Sequence, residues 1–302
     1  MRQTLLDKVN IFLLKGGFTL KNLTRTCFDV LARKNEQILL IKVLEDANSI
    51  TRENAEEMAT VASYISSSPI IIAEKAGSRL NDNVVYSRFG VHTLNYATFL
   101  NCVSNRFPFV KSGKAGLTAN LAGKKFREKR EELGYSLNAL SKKIGVTSRS
   151  ITKYENGNSE VTINNAMKIY ALFGYHVFNE INIFSKCGRE SCKLEPDSGR
   201  RDAALRPLSH STVSRKYIEL GFDAAETKKT PFDIIAKKGD GIILTEVSDN
   251  VNPQMQSFSK LLEADNLVIF RKKKPKNIPS ITKEGFMDFE KANELIKFLK
   301  EF

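Results

Sequence analysis

The sequence has few of the residues that carry metal and cofactor chemistry. Its 302 residues include 4 Cys and 3 His. The cysteines, Cys27, Cys102, Cys187 and Cys192, are scattered. That excludes a small disulfide-stapled scaffold and suits free thiols in a reducing compartment. Cys187 and Cys192 stand near each other in a polar stretch flanked by His176 and His210. A zinc knuckle needs a second ligand pair at short spacing, and none is present. His176 and His210 read as ordinary surface residues. P-loop and G-x-G spacings are absent, and Gly239-Asp240-Gly241 reads as a hairpin turn. No metal and no cofactor are therefore expected. There is no run of roughly 18 apolar residues, and the first residues, M-R-Q-T-L-L-D-K, soon meet charge. A cytoplasmic protein with no membrane span and no signal peptide is expected.

What the chain has is positive charge: 47 Lys and Arg against 34 Asp and Glu, a net +13. Much of it is local. From Lys111 to Gly157 there are 11 Lys and Arg against 4 Glu, a net +7. A compact segment with that charge attracts a polyanion, and double-stranded DNA is the expected partner. At 41% hydrophobic, the chain can bury cores in two or three domains.

The basic segment has helical punctuation. A first helix is expected over Thr118–Leu133, with Ala122, Phe126, Lys129 and Leu133 on its inner face and Gly134 ending it. Ser136 caps a second helix with the apolar stripe Leu137, Leu140 and Ile144. Gly145 makes a turn, and Thr147 or Ser148 caps a third helix with Ile151 and Tyr154 inward. That leaves Ser148, Arg149, Thr152 and Lys153 outward, before Asn156-Gly157-Asn158 ends the helix. A fourth helix, Ile163–Phe173, packs Ala166, Ile169, Tyr170 and Phe173 beneath.

These residues, with Leu140, Gly145, Val146, Ile151, Tyr154, Glu155 and Gly157 at matching positions, resemble the lambda-repressor/Cro-like (XRE) helix-turn-helix family. The resemblance implies a recognition helix in the major groove. It assigns base reading to Ser148, Arg149, Thr152 and Lys153. It assigns phosphate contacts to Lys142, Lys143, Thr147, Tyr154 and Asn156. The family often places Gln after the second helix's first polar residue; here that position is Leu137, which removes one phosphate anchor. Binding of protein by the same module is the alternative reading.

The ends of the chain repeat each other. Gly17–Val43 and Gly221–Val247 align without a gap: Gly17 with Gly221, Phe28 with Phe232, Asp29 with Asp233, Ala32 with Ala236, Leu40 with Leu244, Val43 with Val247. Residues 67–75 then answer 264–272, and 91–99 answer 278–286. A duplicated domain around the basic middle is expected. Each copy reads as helix, β-rich runs with a hairpin turn, helix, apolar strand and helix, an α/β sandwich. An Asp on one strand and a second strand shortly after resemble the PD-(D/E)xK nuclease-like fold. There an Asp and a second carboxylate hold Mg²⁺ and a Lys orients water. Here the pattern is broken. After Asp29 come Leu40-Ile41-Lys42, and after Asp233 come Leu244-Thr245-Glu246, so the acidic slot is apolar in both. The plainer reading is that both aspartates bond a turn or pair with a neighbouring cation.

The whole is similar to a family of archaeal regulators expected from sequence to bind DNA, with a C-F-D-V-L-A-R segment at the start. The expected fold class is α+β multidomain: an all-α five-helix lambda-repressor-like domain between two α/β nuclease-like αβββαβ repeats. Expected boundaries are 1–105 for the first repeat, 106–117 for a linker, 118–183 for the DNA-binding domain, 184–211 for a flexible linker and 212–302 for the second repeat. The linkers would let the middle domain move. The expected function is a sequence-specific transcriptional regulator, not an enzyme. One recognition helix per chain makes a homodimer the expected assembly. The alternatives are a nuclease-derived DNA-processing protein or a protein-binding adaptor.

Overall fold

The first helix, α1 (Arg2–Lys15), buries Leu5, Val9 and Leu13 at four-residue spacing, one face of a helix. It lies on three antiparallel strands, β1 (Thr19–Asn22), β2 (Val30–Lys34) and β3 (Gln37–Asp46). Asn35, at φ +52°, makes the tight turn between β2 and β3. Thr51 caps α2 (Arg52–Tyr64), which crosses over to β4 (Ser68–Ala76), parallel to β3. β5 (Ser78–Arg79), β6 (Val84–Arg88), β7 (Val91–Leu94) and α3 (Tyr96–Val103) complete the unit, with β7 parallel to β4. This computed structural model describes residues 2–113, 116–157, 159–185 and 211–301.

The middle of the chain is helical. After β8 (Val110–Gly113) and β9 (Gly116–Ala119) come α4 (Gly123–Glu132), α5 (Leu137–Ile144), α6 (Ser148–Glu155), β10 (Val161–Thr162) and α7 (Ile163–Phe173). The C-terminal unit holds α8 (Thr212–Glu219), β11 (Asp223–Glu226), β12 (Ile234–Lys238), β13 (Gly241–Glu246), α9 (Pro253–Leu262), β14 (Asp265–Phe270), β15 (Ser280–Thr282), α10 (Lys283–Met287) and α11 (Ala292–Lys300). Among the described residues no helix is long and apolar enough to cross a membrane.

The two units share one strand plan. Thr19 opposite Arg33 recurs as Asp223 opposite Lys237, and Val30 opposite Ile41 as Ile234 opposite Thr245. The parallel pairs recur too: Leu39 beside Ser68 as Ile243 beside Asp265, and Ile71 beside Thr93 as Val268 beside Ser280. They also share a core. Phe28, Leu31, Met58 and Val61 from one pack with Phe232, Ile235, Met255 and Phe258 from the other. At its rim, Gln254 Oε1 accepts from Thr24 N while Glu57 Oε1 accepts from Lys228 N. These two bonds relate the units reciprocally, as about a two-fold axis.

Several boundaries differ from the sequence reading. Residues 106–117 were expected to be a linker. Instead β8 pairs with β6, and β9 pairs with β8 and β10, so the first sheet runs into the helical region. Thr118 is therefore in a strand and the first helix begins only at Gly123. Beyond α7, Ile183 is buried in the N-terminal unit's core and Phe184 packs edge-on against Phe107. Both ends of the helical region are thus anchored to that unit, against the expected free movement. One expected closing helix, Phe286–Leu299, is two, α10 and α11, broken at Asp288. Cys187, Cys192, His210 and most of the expected second linker lie outside the described residues.

Candidate nucleic-acid interface

The helical region is built around α4, α5, α6 and α7. Phe126 of α4, Leu140 and Ile144 of α5, Ile151 of α6 and Ile169 of α7 are fully buried together. Ser136 accepts from Ala139 N to cap α5, and Thr147 accepts from Ser150 N to cap α6. Between them Gly145 adopts φ +83°, the left-handed conformation a side chain resists. Lys168 Nζ donates to Ile144 O at 2.6 Å, closing the C-terminal end of α5. α4 meets α6 at Gly123, where a Cβ would lie 2.1 Å from Glu155 O. A little further along, Arg130 Nε and Nη2 donate to the carboxylate of Glu155, and Nη1 donates to Tyr135 O at 3.0 Å. Both charged side chains are at least 90% buried, with 10% and 8% exposure. Its hydrogen bonding to the Glu155 carboxylate, first among the causes, holds the Arg130 guanidinium above its usual range.

The outer face of α6 is different. Arg149, Thr152 and Lys153 are exposed on it, and Lys142 and Lys143 are exposed at the end of α5. The carboxylates of the region are engaged elsewhere: Glu128 with Lys124, Glu131 with Arg127, Glu132 with Lys129 and Glu155 with Arg130. Among the described residues, Lys142, Arg149 and Lys153 are in no ion pair, and Lys143 lies over the Tyr135 ring at 5.5 Å. The first turn of α6 has no acidic residue, so its free amides and the helix dipole add to the positive potential.

Not every expected contact residue is placed alike. Ser148 is half-buried and its hydroxyl donates to Asn138 Oδ1, which ties α6 to α5. Thr147 is exposed, but its hydroxyl is the α6 cap. Asn156 is exposed just past α6. Tyr154, expected at a phosphate, is 8% exposed and belongs to the core, because it falls three residues after Ile151 on the same helix face. Tyr170, expected beneath the domain, is 49% exposed and lies beside Phe109.

The nuclease-like position in the N-terminal unit holds its own cations. Asp29 is 4% exposed. Its Oδ1 accepts from Arg2 Nη2 at 2.6 Å and Lys42 Nζ at 3.1 Å, and its Oδ2 from Val43 N at 2.8 Å. Leu40 is wholly buried in the core shared by the units. In the C-terminal unit Asp233 Oδ2 accepts from Val247 N at 2.7 Å, the matching bond. Glu246 stands where Lys42 does. Burial, and then the charge of Asp233, raises its carboxyl above the usual range.

Sequence comparison agrees with both parts. Residues 2–108 match the family described as a PD-(D/E)XK superfamily domain, and residues 126–178 match the family described as helix-turn-helix. The chain is thus similar to one kind of domain at its N-terminal end and to the other in its middle. Over its full length it is similar to archaeal proteins that carry the name "Putative HTH-type transcriptional regulatory protein". One from Archaeoglobus fulgidus is 29% identical, over 100% of this chain and 98% of its own length. One from Methanosarcina acetivorans is 28% identical, over 99% and 97%. One from Thermococcus kodakarensis, whose name adds TK0539, is 27% identical, over 99% and 95%. No solved structure matches.

Three residues of the helix-turn-helix and PD-(D/E)XK parts escape the sequence reading. Arg130 is hidden in the charged run K-K-F-R-E-K-R-E-E, where a cation reads as solvated. The clue is its position four residues after Phe126, on the same face. Gly123 reads as a helix-weakening residue and is a close approach. Arg2, at 27 residues' separation, cannot be linked to Asp29 by any local pattern.

Proposed function

We propose that this chain is a sequence-specific DNA-binding transcriptional regulator that reads the major groove with α6. The observation that carries the reading is the exposed α6 face of Arg149, Thr152 and Lys153, whose two cations are in no ion pair among the described residues, flanked by Lys142 and Lys143. Arg149 at the helix start suits bidentate contact with a guanine edge, with Thr152 and Lys153 one turn on. Lys142, Lys143 and Asn156 suit phosphates, which set register without reading sequence. Ser148 and Thr147 shape the turn and support these contacts. One recognition helix serves one half-site, so two chains per operator are proposed. The C-terminal unit, by its matching strand register, is proposed to be a second copy of the nuclease-like fold.

The test is selection of bound DNA from a random pool, followed by variants on the selected site. Arg149→Ala should cost about 1–3 kcal/mol at one base pair and relax preference there. Lys142→Ala should weaken all sequences alike and reduce the slope of log K against log salt by about one. A recovered pool with no preferred sequence would sink the reading.

The nuclease-type fold brings in a second reading, DNA cleavage. Against it stands Asp29, whose oxygens are taken by Arg2, Lys42 and Val43 N, with a buried leucine in the acidic slot. One carboxylate with two cations on it is a poor Mg²⁺ ligand. Incubation of plasmid and branched DNA with Mg²⁺ should leave both intact. Cutting that Asp29→Ala abolishes would establish the enzyme reading instead.

A further inference from the structure

The C-terminal unit carries a second concentration of positive charge, far in sequence from the recognition helix. Residues 271–276 read R-K-K-K-P-K, five cations in six residues. They follow β14 at the end of the parallel strands, and all five cations are exposed. None is in an ion pair among the described residues. The loop is nevertheless held in shape. Asp249 Oδ1 accepts from Arg271 N at 2.7 Å, Lys272 N at 2.9 Å and Lys273 N at 3.4 Å. The bonds from Lys272 N and then Arg271 N hold this carboxyl below its usual range. The carboxylate that touches the run, Asp249, is thus spent on its backbone, and the five side chains are in no ion pair among the described residues.

The fold does not require these cations. In the N-terminal unit the residues at the matching positions, 74–79, read E-K-A-G-S-R and run from the end of β4 through a turn at Gly77 into β5, with Asp46 accepting from Gly77 N. That turn closes on a mixed sequence with one acid and two bases. The concentration of charge at 271–276 is therefore a property of this surface and not of the turn. Like charges crowded on a fixed loop repel one another, a cost that a bound polyanion removes. The loop offers no exposed aliphatic or aromatic side chain for a bilayer: Phe270 is half-buried and Ile278 is 3% exposed. A row of cations without apolar neighbours fits a phosphodiester backbone.

We propose that Arg271, Lys272, Lys273, Lys274 and Lys276 form a second, sequence-independent contact with the phosphate backbone of DNA flanking the site read by α6. The inference rests on the reading of the chain as a DNA-binding regulator and extends it to the C-terminal unit. The contact adds affinity and salt dependence but no base preference.

The experiment uses the full chain with Lys272→Ala, Lys273→Ala, Lys274→Ala and Lys276→Ala combined, which keeps every backbone amide that Asp249 holds. Its binding is measured against salt on the selected operator and on that operator extended by one helical turn at each end. On the extended duplex the slope of log K against log salt should become shallower by about 3–4, since each phosphate contact contributes about 0.9. On the short duplex the slope should not change, and the preferred sequence should stay the same on both. Arginine at the same four positions should restore the slope. An unchanged slope on the extended duplex, while Arg149→Ala still alters base preference, overturns this inference and leaves the regulator reading standing. Loss of binding to phosphatidylserine vesicles with no change on DNA overturns it likewise. Failure of the unaltered protein to retain any duplex overturns both.

Discussion

Arg130→Ala should lower the stability of the helix-turn-helix by about 3–5 kcal/mol, measured by urea unfolding with a probe in that region. The change removes the partner of Glu155, whose side chain is 8% exposed. It also frees Tyr135 O and vacates the space under the first helix of the motif. A carboxylate left buried without a cation must protonate, draw in water or open the structure, and each is costly. Replacing both partners, Arg130→Met with Glu155→Leu, should recover most of the loss, because an apolar pair needs no desolvation to be repaid. DNA binding should follow stability: lost at the single substitution, largely regained in the pair. A loss below about 1 kcal/mol for Arg130→Ala would place this ion pair with ordinary surface pairs and remove it from the account of how α6 is held.

A comparable loss is expected at Phe258. It is fully buried and packs between Phe28, at 5.8 Å centroid distance, and Phe232, at 5.4 Å. The first neighbour belongs to the N-terminal unit and the second to the C-terminal one, so this ring is common to both. Phe258→Ala should cost about 3–5 kcal/mol, through lost transfer energy and the cavity left behind. Its sharper consequence is where the loss is felt. Amide exchange should quicken in β2 and β3 as well as in β12 and β13, because the two sheets cover one another across a single core. Faster exchange confined to the C-terminal strands would mean that the units are stable separately, and the joint core would then be incidental.

The parts of this fold legible in the sequence are those written in local chemistry. Helices stand where each copy's reading as helix, β-rich runs, helix, apolar strand and helix puts them, and in the structure Asn252 caps α9 and Asn95 caps α3. The hairpin at Lys238-Gly239-Asp240-Gly241 forms as its turn residues require, with Gly239 at φ +60°. The exposed face of α6 follows from Ile151 and Tyr154 being apolar three residues apart. What fails is non-local. β8 and β9 look like linker because Val110–Gly113 and Gly116–Ala119 are short and flanked by glycine, and only β6 and β10 make them strands. The inner face of α4 was misplaced because Leu133, apolar, is 47% exposed while Arg130, charged, is buried. Side-chain type alone assigns those two residues the wrong way round, and the partner that decides it is 25 residues away.

The reciprocal bonds Thr24 to Gln254 and Lys228 to Glu57 have a consequence for concentration. Two free-standing subunits meeting through such a surface would separate on dilution. Here the chain itself supplies the partner at a fixed and high effective concentration. The pairing therefore persists in a single molecule, however dilute, and the paired face is no longer available to another copy. Any association that brings a second recognition helix to an operator must use a different surface, and only that step will respond to how much protein the cell contains.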